Sequence, residues 1–458
     1  MRSTFYITTA IFYANGPLHI GHCYESVLAD SLARYHRARG ARVHLLTGTD
    51  EHGMKIERKA AAAGRPPQAW VDEIAGAVRH VSDRLGISYD DFIRTSEPRH
   101  VTAVQAIFTR LWEQGDIYLD QYEGWYCHYD ETFWPAGRVL PGDLCPQCSR
   151  PLEWTREPTY KFRLSKYASA IAALLVRPGF VVPESRCNEM LAFVRQGLDD
   201  IAVSRTTVAW GIPVPFDPAH TIYVWIDALS NYITALGYGT ADSTLYRTFW
   251  PADLHVVGKD IARFHAVIWP ALLLALGEPV PAGILGHGWL NVGGEKISKS
   301  RGNTVDPLPL IERYGVDAVR YYLLREMPFG PDGNYSEEGL VHRTNTDLAN
   351  DLGNLLSRTT MMIDKFVRGV VPAPGAGDGV LEAATAQAVR AVEQHMERLQ
   401  PADALAALFR LVSRANKYIE EQSPWSLAKK PAEAERLGGV PAGTQIRRGA
   451  PLFPRIQE

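Results

Sequence analysis

The run from Phe5 to Phe12 is rich in β-branched and aromatic residues and reads as a strand, and Tyr13-Ala14-Asn15-Gly16-Pro17 then supplies turn chemistry. From His19 an amphipathic stretch continues to Arg39, where Gly40 ends it. A second strand, Val43 to Leu46, and a loop from Thr47 to Gly53 follow. Strand, turn, helix and strand in that order predict a right-handed βαβ unit, the start of a parallel sheet whose ligands gather at strand C-terminal ends. From about residue 117 to 215 Trp, Tyr, Pro and Gly crowd around a cysteine cluster, and apolar αβ patterning resumes from Thr221 to Leu276. From Asp347 onward strand patterns vanish, and helical periodicity dominates to near Lys430, before a Pro/Gly-rich tail.

These shifts predict an α/β chain, with a Rossmann-like parallel sheet split in sequence by an insertion and followed by an α-helical domain. The expected divisions are residues 1–116, an insertion at 117–215, 216–345, a helical domain at 346–430 and a tail at 431–458. A length of 458 residues exceeds what one hydrophobic core usually supports. With 46% hydrophobic and 22% charged residues the composition excludes wholesale disorder, and no apolar run is long enough to span a bilayer. The first strand starts almost at Met1 with no signal-peptide cleavage pattern, so a cytoplasmic location is expected. A net charge of -3 argues against coating nucleic acid by bulk electrostatics but allows a local basic groove.

Among five cysteines, Cys127, Cys145 and Cys148 cluster, which suits a metal site in a reducing compartment; Cys23 and Cys187 stand alone as packing residues. Cys145-Pro146-Gln147-Cys148 has the spacing of a zinc knuckle, at about residues 124–152, while Asp130 stands where a second cysteine would complete Cys127-His128-Tyr129-Asp130. The expected ligands of a structural Zn2+ are Cys127, Asp130, Cys145 and Cys148, with His128 as the alternative fourth.

His19 and His22 lie three residues apart at the start of the first helix, where exposed N–H groups and the helix dipole favour anions. A lone His-x-x-His could equally cap a helix or hold a metal. The second element, Gly293-Gly294-Glu295-Lys296-Ile297-Ser298-Lys299-Ser300-Arg301-Gly302-Asn303, is a basic loop with glycine on both sides, suited to closing over a polyphosphate, with Lys299 as the main contact. Together, His19-Ile20-Gly21-His22 and Lys296 to Ser300 resemble the paired signatures of class I aminoacyl-tRNA synthetases, with Ile297 where Met is commonest.

The stretches around Tyr6 to Ala10, Tyr13 to Leu18, Thr47 to Gly53 and Tyr223 to Tyr232 are similar to the methionyl branch, from about residue 4 to about residue 430. That resemblance implies an ATP-dependent ligase. It would activate L-methionine with ATP, accompanied by Mg2+, and pass it to the 3' end of tRNA(Met). His19, His22, Lys296 and Lys299 would stabilise the phosphoryl-transfer transition state. Asp50 would meet the methionine ammonium. Ala10, Ile11, Tyr13, Trp225, Ala228, Leu229, Tyr232, Ile261 and His265 would line the thioether pocket. A thioether hydrogen-bonds weakly and suits a shaped apolar and aromatic cavity. Gly21, Gly258, Asp260, Gly288 and Lys299 would contact ATP, with Asp260 at the end of an apolar strand, Leu254 to Val257, poised for ribose hydroxyls.

In the helical region Asn354, Arg358 and Trp425 would read the anticodon, since unstacked bases are recognised by edge hydrogen bonds and by stacking. After Glu435-Arg436-Leu437 the family continues through further apolar helices, whereas this chain passes directly to Gly438-Gly439-Val440-Pro441; a shortened helical bundle is therefore expected. That shortening supports an alternative reading, a paralogue that forms the adenylate with altered or lost tRNA charging; a second alternative, a non-catalytic tRNA-binding protein that kept the fold, is opposed by the intact signatures. A monomer is expected.

Overall fold

In a computed structural model, which describes residues 3–129, 132–134, 136–146, 148–297, 302–371 and 379–427, the first apolar run becomes the strand Thr4–Thr9 (β1). It is buried from Tyr6 through Ala10 without alternation, as a strand covered on both faces must be. A two-residue strand, Phe12–Tyr13 (β2), and a turn lead into the helix Ile20–Ala38 (α1), and Gly40 takes a φ of 86° just beyond its end. The strands Arg42–Asp50 (β3), Asp91–Arg94 (β4), Val181–Val182 (β5), Leu254–Gly258 (β6) and Ile284–His287 (β7) complete a seven-stranded sheet. Its order is β2-β3-β1-β6-β7-β5, β4 also pairs with β3, and every pairing is parallel.

The structure extends the second strand beyond the expected Leu46. Thr47 to Asp50 continue β3 rather than starting a loop, and Gly48 allows it: a Cβ there would lie 2.0 Å from the Ile93 carbonyl oxygen of β4. Central β1 has β3 from early in the chain on one side and β6 from late in it on the other, so strand order reverses there. A crevice forms beyond the strand ends at such a point. Residues 117–215 carry a separate antiparallel sheet of Thr132–Trp134, Ile117–Cys127, Glu153–Phe162 and Ile201–Ala202, yet they also lend β5 to the edge of the main sheet.

The described chain divides into two compact units, one of residues 1–33 and 41–288 holding this sheet, the other of residues 34–40 and 289–458. The second contains a three-stranded sheet of Leu290–Val292, Glu295–Lys296 and Gly333–Tyr335, then helices that include Asn354–Val367, Val380–Glu397 and Pro401–Gln422. Leu355, Met362, Val412, Tyr418, Ile419 and Leu427 form the buried seam of those helices. The expected shortening after Leu437 falls outside the described residues. Among the described residues no helix is long and apolar enough to cross a membrane.

Candidate active site

The C-terminal ends of β1, β3 and β6 and the face of the helix Val224–Thr234 open onto a cavity of about 370 Å³. All ten residues expected around a bound thioether amino acid line it: Ala10, Ile11 and Tyr13 beyond β1, Asp50 at the end of β3, Trp225, Ala228, Leu229 and Tyr232 on the helix, and Ile261 and His265 after β6. The helical four follow one another at spacings of three, one and three, so they form one stripe. His22, Gly258 and Asp260 adjoin them on the same cavity; His19, Gly21 and Gly288 are not among its lining residues.

On the apolar side, Trp225 stacks on Phe264 with ring centroids 3.4 Å apart and planes 10° from parallel. His265 sits in a widened helical turn, Phe264–Ile268, the kind of local under-winding that re-aims one side chain. Its Nδ1 lies 2.9 Å from the Ile261 carbonyl oxygen, so Nδ1–H donates there and bare Nε2 accepts from the Tyr232 hydroxyl at 2.6 Å. Burial lowers the His265 pKa to about 4, which keeps the ring neutral at physiological pH. Behind Tyr232, His255 accepts from the Trp269 indole at 3.3 Å and donates from Nδ1 to the Thr8 hydroxyl at 2.8 Å, and burial holds it well below the usual histidine range.

The polar side is framed by acids. Glu51, next to Asp50 and fully buried, accepts from the Thr49 hydroxyl at 2.6 Å and from the Arg94 guanidinium at 2.7 and 3.0 Å. Glu25 on α1 accepts the Ala10 N–H at 2.9 Å and pairs with His287 at 3.0 Å. Burial alone would lower the His287 pKa, but Glu25 raises it. The His19 and His22 rings stack with centroids 3.8 Å apart, and the His22 N–H donates to the His19 carbonyl at 2.9 Å, so the pair is fixed by the first turn of the helix. Gly258 leaves room for the Asp260 carboxylate: a Cβ there would come within 2.7 Å of it, so the carboxylate would have to shift.

Sequence reasoning missed Phe12, Glu25, Lys55, Tyr129, Val224 and Phe264, which also line the cavity. Glu25 was within reach, since it lies one helical turn beyond His22. Tyr129 was not, because it arrives from the cysteine region, with the Lys55 ammonium 4.6 Å from its ring centroid.

In the second unit Lys296 is exposed and its ammonium lies 3.6 Å over the Trp289 ring, while Lys299 falls outside the described residues. Asn354 and Trp425 are exposed on helical segments, and Arg358 is half-buried and pairs with Glu420 at 3.3 Å. In the insertion, the sulfurs of Cys127, Cys145 and Cys148 lie within 4.8 Å of one another, two of the residues fully buried. A 3.5 Å separation between the Cys127 and Cys148 sulfurs is too long for a disulfide. Three converging thiols fit a borderline-soft metal ion. Asp130 lies outside the described residues, and His128 turns away to pair with Glu153.

Compared with known proteins, residues 5–360 match the family model described as tRNA synthetases class I (M). The methionine–tRNA ligase of Caldanaerobacter subterraneus subsp. tengcongensis is 53% identical over 444 residues, covering 96% of this chain and 69% of that one. That of Halalkalibacterium halodurans is 52% identical over 455 residues, with 96% and 69% covered. The solved Mycobacterium tuberculosis methionyl-tRNA synthetase in complex with methionyl-adenylate superposes with a TM-score of 0.92 at 44% identity, covering 97% of this chain and 89% of that one.

Proposed function

The chain belongs to the class I methionyl-tRNA synthetases, and on that premise we propose that it is an ATP-dependent methionine–tRNA ligase working in two steps. In the first, a carboxylate oxygen of methionine attacks the α-phosphate of ATP, the bond to the β-phosphate oxygen breaks, and pyrophosphate leaves as methionyl-adenylate forms. In the second, a hydroxyl of the terminal ribose of tRNA(Met) attacks the activated carbonyl, loses its proton, and AMP leaves. The expected setting is the cytoplasm, as a monomer.

The observation that carries this reading is the meeting of Asp50 with the stripe of Trp225, Ala228, Leu229 and Tyr232 on one cavity that also reaches His22 and Asp260. A carboxylate at one end offers the ammonium a charged partner, while aromatic faces at the other suit a thioether that forms few hydrogen bonds. His22 at a helix N-terminus and Asp260 beyond β6 suit a phosphate and a ribose in the remaining space. His19, Lys296 and Lys299 are proposed to stabilise the charge that develops on the phosphoryl group, and Gly21 and Gly288 to let backbone approach the nucleotide. Mg2+ would enter with ATP.

Cys127, Cys145 and Cys148 are proposed to hold a structural Zn2+ with Asp130 as fourth ligand, stiffening the turn that carries Tyr129. Asn354, Arg358 and Trp425 are proposed to read the anticodon: two are exposed on helical segments, and the third is held by a partly exposed ion pair to Glu420 that binding could exchange.

Methionine-dependent ATP–pyrophosphate exchange and tRNA charging, measured on one preparation, test both steps. Lys299→Ala should depress exchange far more than methionine binding. Exchange that survives that change nearly intact overturns the assignment of this loop, and exchange without charging favours the adenylate-forming paralogue.

A further inference from the structure

The helix Val224–Thr234 carries a second stripe opposite the one that faces the cavity: Asp227, Asn231 and Thr234, spaced four and three apart, are all buried. Asp227 is fully buried and has two histidine partners. His52 Nδ1–H donates to its Oδ2 at 2.6 Å, and His100 Nε2–H donates to its Oδ1 at 2.8 Å. The other ring nitrogen of His100 lies 2.7 Å from the Thr234 hydroxyl, about two turns further along the same helix. Both carboxylate oxygens are therefore used. Burial by itself would favour the neutral acid, yet the two histidines hold the Asp227 pKa below the ordinary carboxylate range, consistent with an ionised anchor.

His52 lies two residues beyond Asp50, in the turn that ends β3, and Asp227 lies between cavity-lining Trp225 and Ala228. We infer that Asp227 and His52 are positioning residues for methionine: their hydrogen bond ties the strand end carrying the ammonium partner Asp50 to the helix carrying the thioether face, and fixes the rotation of that helix. The inference rests on the reading of Asp50 and the helical stripe as the methionine site. Neither residue needs to touch the substrate. A small cavity of about 20 Å³ lies beside His52, flanked by Gly53, Trp210, Tyr223 and Val224, so the ring is not closely packed on every side. A displacement of about 1 Å at such a joint is enough to cost binding or rate by one to two orders of magnitude.

The test is ATP–pyrophosphate exchange with the full chain, measuring KM for methionine and for ATP in D50N, D227N, H52A and H52N, with melting temperature recorded for each. An asparagine at position 52 places an amide N–H near the site of Nδ1–H, so H52N is the conservative rescue. Expected are a methionine KM raised about ten-fold or more in D227N and H52A, an ATP KM within about two-fold of the parent, and a methionine KM in H52N restored to within about three-fold. A methionine KM left within two-fold by H52A while D50N raises it overturns the inference and spares the pocket reading. An H52N enzyme as impaired as H52A overturns it as well. A D50N enzyme with unaltered methionine KM overturns the pocket reading itself. If D227N does not fold, the H52A and H52N pair decides alone.

Discussion

Replacing Tyr232 by phenylalanine isolates one oxygen in the wall of the cavity. Tyr232 is 1% exposed, and its ring packs against His255 with centroids 4.3 Å apart and against Trp269 at 6.0 Å; phenylalanine keeps those contacts. What disappears is the proton donated to His265 Nε2. That nitrogen cannot recover by changing tautomer, because Nδ1–H is already committed to the Ile261 carbonyl. Nor can it recover by taking a proton near neutrality, because burial has lowered its pKa to about 4. The variant therefore leaves a buried acceptor without a donor, which costs about 1–3 kcal/mol of stability. Urea unfolding at pH 7.5, with and without saturating methionine, reads this as a lower midpoint at unchanged slope. The companion variant is the double change Tyr232→Phe with His265→Phe, which removes both partners. Replacing both ends of a hydrogen bond by apolar groups is far cheaper than orphaning one, so the double variant should be more stable than the single. A single variant as stable as the parent, or a double variant less stable than the single by the full cost of the first change, refutes the assigned direction of this bond.

Acid should weaken the fold before carboxylates titrate. His265 and His255 have pKa values lowered by burial, so their contribution is intact above the unfolded value of about 6.5 and is lost as pH falls toward the folded values. From pH 7 to 5, His265 alone should remove about 2 kcal/mol, readable by urea unfolding at the two pH values. His36, also lowered by burial, adds to the loss, while His287, raised by Glu25, has the opposite sign and offsets part of it, so a flat profile would contradict the excess of lowered over raised histidines. Arg94→Ala strips a fully buried Glu51 of its guanidinium partner beside Asp50, and about 3–5 kcal/mol of stability should go with it, seen by thermal melting. Arg94→Lys keeps a charge but not the two-pronged contact and should fall between. Metal analysis of chain never exposed to chelator should find zinc, and Cys145→Ser should abolish it; the absence of zinc from such material sinks the proposed site.

The sequence announced the first β-strand, turn and helix because three independent signals agreed: a β-branched run, Asn15-Gly16-Pro17, and Gly40 after an amphipathic stretch. It misled at Thr47 to Asp50, where Thr, Gly and Asp carry turn chemistry yet continue a buried central strand. The deciding influence there is the neighbour: Gly48 is required by the Ile93 carbonyl, and no local pattern reports a partner strand. The ten expected cavity residues were legible only through family resemblance. Their chemistry alone describes any aromatic core, and what distinguishes them is convergence in space. Asp227 shows the limit most sharply, since its partners stand 175 and 127 positions away and each of the three residues alone reads as an ordinary polar residue.

That distribution follows from the fold. A parallel sheet brings its strand C-terminal ends to one edge, so a site built there must draw single residues from strands far apart in the chain, here Ala10 after β1, Asp50 at the end of β3 and Asp260 after β6. Such a site has no short segment to hold it together. Alignment has to come from bonds made within the cavity wall, Glu25 to the Ala10 N–H and Tyr232 to His265, and behind it, Arg94 to Glu51 and Asp227 to His52. Each of these joins two elements, and three of the four involve a side chain that is charged and more than nine-tenths buried, where an unmet partner is costly. Substitutions at these joints should therefore disturb methionine affinity and fold stability together, whereas substitutions of cavity-facing Ala228 or Ile11, which make no such bond, should change affinity with little effect on stability.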